Sequence, residues 1–130
     1  MTQPIWVRYE TVLIIHHRQL AEHGGLDGLR DAGLLQSTLM RPQNLWAYSE
    51  EKPGLPELAA SCAYAITKNH PFLDGNKRTA FVVCETILNL NGMLLGATPE
   101  DRYITFLKLA EGALSEAELA EWIRGHLSSG

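Results

Sequence analysis

Apolar residues recur at three- and four-residue spacing along most of this chain, the period of helices that each turn one face to a core, and almost nothing alternates as a strand would. Turn-forming residues cut the pattern into about six helices. The first is predicted over Tyr9 to His23, with Val12, Ile15 and Leu20 on one face and Gly24-Gly25 as its left-handed stop. Asp31 can cap a short second helix carrying Leu34, Leu35 and Leu39. Pro42 is expected to end that helix near Met40, because the residue before a proline avoids helical geometry. Between Pro42 and Pro56 the period is lost, and Trp46, Tyr48, Glu50, Glu51 and Lys52 are expected on a surface flap. From Pro56 to Asn69 small residues (Ala59, Ala60, Ala63, Ala65) interleave with Leu58, Cys62 and Ile66, which suits a helix packed closely on a neighbour. Asn76 to Leu90 is apolar on most of its circumference and therefore central. Thr98-Pro99-Glu100-Asp101 opens a fifth helix reaching about Glu111, and Ser115-Glu116-Ala117-Glu118 is a capping box opening a sixth that ends near Leu127. The expected architecture is all-α, a compact bundle.

At 130 residues, 45% hydrophobic and 20% charged, the chain suits one domain over 1–130 with a continuous core. A formal net charge of −4 argues against nucleic acid as a direct partner, since a phosphate backbone asks for a surplus of Lys and Arg. The longest strongly apolar run, Ala80 to Cys84, is far short of a membrane span, and the first residues lack a basic-then-apolar leader pattern, so a cytoplasmic protein with no membrane partner is expected. Cys62 and Cys84 sit in apolar helical runs, as reduced buried thiols do, and no histidine stands at zinc-ligand spacing from them.

One stretch carries more polar groups than packing requires: His70-Pro71-Phe72-Leu73-Asp74-Gly75-Asn76-Lys77-Arg78, between the two most apolar helices. Read as packing alone, His70 ends a helix, Phe72 anchors in the core, Asp74-Gly75 turns the chain and Asn76 caps the next helix. That reading leaves Lys77 and Arg78 in a first helical turn, where cations oppose the positive end of the helix dipole unless an anion offsets them. A helix N-terminus offers unpaired N–H groups, Gly75 allows close approach, and the two cations add charge, so the loop suits phosphates. Asp74 beside such a cradle suits magnesium, which takes a few carboxylate oxygens together with phosphate oxygens and water. His70 is the side chain suited to taking a proton from an attacking hydroxyl near neutral pH.

These nine contiguous residues resemble the signature of the Fic superfamily, and Gly24-Gly25, Gly28-Leu29-Arg30-Asp31 and Asn69 resemble its Doc (death-on-curing) branch, so the likeness spans essentially the whole chain. The resemblance implies a Fic/Doc-type bundle with the motif loop between two central helices. It implies His70 as catalytic base, Phe72 as structural anchor, Asp74 as magnesium ligand, and Gly75, Asn76, Lys77 and Arg78 as the nucleotide phosphate nest. ATP is then the co-substrate. Adenylylating members carry glycine where this chain has Lys77, and a second arginine where it has Phe81. Both differences point to the Doc-like reaction, in which the γ-phosphate reaches a hydroxyl of translation elongation factor Tu and stops translation. Pro71 and Gly75 are more like adenylylating members, so AMP transfer is the alternative. A catalytically silent antitoxin-binding module is the alternative from another class. The resemblance also implies a separate Phd-type antitoxin, and Trp46 and Tyr48 are candidates for contact with it or with the substrate. His16 is expected to be a hydrogen-bonded core histidine.

Overall fold

The computed structural model describes residues 2–130, in which helices dominate in the expected order: α1 (Tyr9–His23), α2 (Ala32–Tyr48), α3 (Leu55–Asn69), α4 (Asn76–Leu90), α5 (Pro99–Ala110) and α6 (Glu116–Gly125). Two short strands, β1 (Met93–Leu95) and β2 (Leu127–Ser129), pair antiparallel with Met93 opposite Ser129 and Leu95 opposite Leu127. α3 lies at the centre, packed on α2, α4 and α6. Its residues from Leu58 to Ala63 are buried without a break, so no side of its middle meets water. The alanines at 59, 60 and 63 let α4 approach closely with Ala80, Val83, Cys84 and Ile87. Burial pushes the Cys62 thiol up to about 12, outweighing the opposing Arg41 charge, and pushes the Cys84 thiol up as well, so both are reduced, neutral core residues.

Local signals set most boundaries. Asp31 accepts the Leu34 N–H at 3.0 Å, Thr98 accepts that of Asp101 at 3.2 Å, and Ser115 and Glu118 exchange bonds at 3.1 and 2.9 Å in a complete capping box. Gly24, at φ +79°, ends α1 by donating to Leu20 O at 2.7 Å.

Three expectations are corrected. α2 does not stop at Met40; it continues through Pro42 to Tyr48. Proline inside a helix removes one hydrogen bond and costs about 3 kcal/mol, but Pro42 is itself buried beside Leu35, Thr38 and Leu39, and Arg41 is tied to α3 and α6. Packing outweighs the lost bond. The flap therefore shrinks to residues 49–54. Second, the all-α bundle also carries one two-stranded pairing that the pattern did not mark, Met93–Leu95 after α4 with Leu127–Ser129 after α6. Third, α6 ends at Gly125, and Leu127, expected at the end of that helix, belongs to β2. No helix of the described residues is long and apolar enough to cross a membrane.

Candidate active site

The site forms where α3 stops and α4 starts. His70 caps α3 with its N–H on Ile66 O at 3.2 Å and takes the left-handed conformation, φ 49° and ψ 60°, the only non-glycine residue at positive φ among those described. A β-carbon makes that region unfavourable by roughly 1–2 kcal/mol, and such strain persists where surrounding bonds hold it. Here Arg30 holds it: Nε donates to His70 O at 2.6 Å and Nη2 donates to Asn69 O. The guanidinium thus covers the negative end of α3, and the imidazole of His70 is left exposed.

Beyond His70 the loop is strapped on two sides. Phe72 is 1% exposed. Asn76 closes the loop around it, accepting the Phe72 N–H at Oδ1 and donating from Nδ2 to Phe72 O, both at 3.0 Å. The other strap is the segment after α1: Pro71 O accepts from Arg30 N at 2.8 Å and Asp31 N at 3.2 Å, and Leu73 N donates to Gly28 O at 3.1 Å. Leu29 and Phe72 form an isolated antiparallel bridge. The Asp74 carboxylate accepts Gly75 N at 2.8 Å and Leu26 N at 3.3 Å. A β-carbon on Gly25, whose φ is +125°, would stand 2.8 Å from Asp74 Oδ2, so the turn after α1 must be glycine for Asp74 to sit there.

Gly75, at φ 77°, is the N-cap of α4, which has neither a side-chain cap nor an acid in its first turn. Its first intrahelical bond runs from Thr79 N to Gly75 O at 3.0 Å, so the N–H groups of Asn76, Lys77 and Arg78 have no partner within the helix. Arg78 is exposed and meets no carboxylate within salt-bridge distance among the described residues.

The residues singled out in the sequence divide on this geometry. His70, Phe72, Asp74, Gly75, Asn76 and Arg78 come together. Asn76 is the first residue of α4 and not its cap; it is 8% exposed, its side chain is bonded to both polar atoms of the Phe72 backbone, and its Nδ2 also lies 3.5 Å from His70 Nδ1. The Lys77 ammonium lies 5.3 Å from the centre of the Tyr103 ring on α5. Phe81 sits edge-on to Phe106, centroids 5.1 Å apart, under the Arg102 guanidinium. Trp46 and Tyr48 are not on a flap. They lie in the last turns of α2, about 20 Å along its axis from the end that adjoins the motif. The Lys52 ammonium covers the Trp46 ring at 4.5 Å and donates to Trp46 O at 2.7 Å, while Tyr48 is 84% exposed. Sequence reasoning gave no role to Arg30, nor to the Leu26 amide; the Gly28-Leu29-Arg30-Asp31 run was the available signal.

The class follows from sequence comparison laid on this geometry: a family profile described as the Fic/DOC family matches residues 6–88, which include α1 to α4 and the entire motif loop, and the chain belongs to that family. Among curated proteins it is similar to "Protein kinase doc" of Escherichia phage P1, 32% identical over 115 residues that span 88% of this chain and 90% of that one. It is also similar to "Toxin Doc" of Mycolicibacterium smegmatis, 39% identical over 74 residues, 57% of each chain.

Proposed function

We propose that this chain is a toxin kinase that transfers the γ-phosphate of ATP to a hydroxyl of a protein, translation elongation factor Tu being the target the Doc resemblance implies. The observation that carries the reading is the exposed His70, pinned at the end of α3 against an α4 N-terminus whose first-turn amides have no side-chain cap and whose Arg78 meets no carboxylate among the described residues. In the transfer, the acceptor oxygen bonds to the γ-phosphorus as the bond from that phosphorus to the β,γ-bridging oxygen breaks. ADP leaves with that electron pair, and the acceptor's proton passes to the imidazole of His70.

Asp74 suits a magnesium ion held jointly with phosphates: one exposed carboxylate lies beside the first-turn amides, and no cluster of three or more His, Cys, Asp or Glu side chains among the described residues forms an all-protein cage. Magnesium would supply charge neutralisation on the phosphates. Gly75 and the α4 amides bind the phosphate oxygens, Arg78 adds charge, and Asn76 keeps the loop in shape.

The kinase reading is preferred because Phe81, where adenylylating members have an arginine, is committed to the Phe106 aromatic contact, and because a relative covering most of both chains is named a protein kinase. Pro71 and Gly75 favour AMP transfer as the second reading, with the same His70 in the same role. A Phd-type antitoxin would neutralise the toxin in a cytoplasmic setting, and the name of the Mycolicibacterium smegmatis relative, a toxin, supports such a partner.

Intact-mass spectrometry of purified elongation factor Tu, incubated with this protein, magnesium and ATP beside a His70→Ala control, tests the proposal. A His70-dependent gain of one phosphoryl group is expected. A gain of one AMP instead selects the adenylylating reading. No change in mass removes elongation factor Tu as the target, and retention of antitoxin binding without any nucleotide turnover would select the silent module.

A further inference from the structure

Most of the site is held from α3, α4 and residues 24–31, but one contact comes from the middle of α1. His16 is 4% exposed, and its ring lies flat on Phe72 with centroids 3.7 Å apart and planes 8° from parallel. Its Nε2 is 2.8 Å from the main-chain oxygen of Asp74. A carbonyl oxygen only accepts, so the bond assigns a hydrogen to Nε2.

The consequence lies in the next peptide unit. A trans peptide is planar, with its C=O and N–H pointing in opposite directions. Holding Asp74 O against α1 therefore turns the Gly75 N–H away from α1, to the side where it meets the Asp74 carboxylate at 2.8 Å and adjoins the first-turn amides of α4. Gly75 has no side chain to resist rotation of this peptide, since glycine accepts either sign of φ. The Asp74 carboxylate holds the N–H side of this peptide, and His16 holds its carbonyl side from outside the loop; a β-carbon built on Gly75 would stand 3.7 Å from the His16 ring. Stacking on Phe72 requires a flat ring only; the donor aimed at Asp74 O is what a phenylalanine at position 16 would lack.

We propose that His16 is a positioning residue, whose Nε2–H fixes the Asp74–Gly75 peptide so that the Asp74 carboxylate, held on the Gly75 N–H, faces the phosphates beside the first-turn amides of α4. The link to phosphates rests on the phosphoryl-transfer reading; the pinning of the peptide does not. Two variants separate donor from ring. His16→Phe keeps the ring and loses the donor, whereas His16→Gln keeps a donor at similar reach and loses the ring. Three readouts apply to each: magnesium–ATP affinity by calorimetry, exchange of the Gly75 amide by NMR, and melting temperature.

His16→Phe is expected to melt close to wild type, yet to bind magnesium–ATP about fivefold to tenfold more weakly, the effect of one lost hydrogen bond, with faster Gly75 exchange. His16→Gln is expected to melt lower and to recover most of the affinity and the slow exchange. Affinity and exchange that follow melting temperature instead, with His16→Phe like wild type and His16→Gln the worse, overturn the proposal and leave His16 a packing residue. If the wild-type protein binds no magnesium–ATP, the phosphoryl-transfer reading fails, and Gly75 exchange alone decides: faster in His16→Phe and normal in His16→Gln sustains the pin, and any other order rejects it.

Discussion

Two arginines at different helix contacts separate charge spent on tying helices together from charge left without a carboxylate partner among the described residues. Arg41, in the middle of α2, is saturated: its guanidinium meets Glu116 at 2.7 and 2.8 Å and the Ser61 carbonyl and hydroxyl at 3.1 Å, tying three helices. The hydrogen bonds it donates to Glu116 are the main reason its pKa is raised. Arg78, in the first turn of α4, meets no carboxylate among the described residues. The helix starts repeat the contrast. α5 and α6 have side-chain caps and two acids each in the first turn, whereas α4 has no side-chain cap, no acid and two cations. Two N-termini carry negative charge in their own first turn; the third does not, which is the feature that the proposed phosphate site uses.

The largest expected effect divides the two residues at the heart of the loop. His70→Ala should lower transfer by about 10²–10⁴-fold, the usual contribution of a positioned base, with melting little changed because the imidazole is exposed. Phe72→Ala should lower stability by about 3–5 kcal/mol, since the ring is 1% exposed and lost together with its stack on His16. Kinetics and thermal unfolding on both variants check this. A His70→Ala protein that unfolds with Phe72→Ala would make His70 structural.

Next comes the arginine pair itself. Arg78→Ala should leave melting unchanged and weaken magnesium–ATP binding about tenfold, as removal of one charge-assisted contact does. Arg41→Ala should leave binding unchanged and lower stability by about 1–2 kcal/mol, less than its number of bonds suggests because the side chain is 43% exposed. Calorimetric titration and urea unfolding of the two variants give a double dissociation; variants that fail in the same assay would erase the contrast.

Much of the fold was legible because its cues are local. Asp31, Thr98 and Ser115 cap helices from within four residues, and the apolar circumference of Asn76–Leu90 marks α4 as central. The reading failed where long-range packing decides. Pro42 is helical because its neighbours are buried and Arg41 is anchored 75 residues away on Glu116. Leu127 leaves α6 because Leu95 is opposite it. In the site, the contiguous run His70 to Arg78 exposed the loop's chemistry, but its geometry depends on partners distant in sequence: Arg30 at 40 residues from His70, His16 at 58 from Asp74. No spacing rule announces such contacts.

The smallest effect belongs to the helix that supplies its own anion. The Glu118 carboxyl lies below its ordinary 4.5 because it accepts the Ser115 N–H and sits beside the Ser115 hydroxyl in the α6 capping box. A carboxyl lowered on folding stabilises when ionised, so its contribution is full above about pH 4.5 and is lost as pH falls through the folded value. Glu118→Gln keeps an acceptor for the Ser115 N–H and removes the titration. Its melting temperature should fall slightly below wild type at neutral pH, and the difference should close under acid. A gap that stays constant with pH would mean that charge at position 118 does nothing for α6, and the contrast with α4, which has no such carboxylate, would then rest on Arg78 alone.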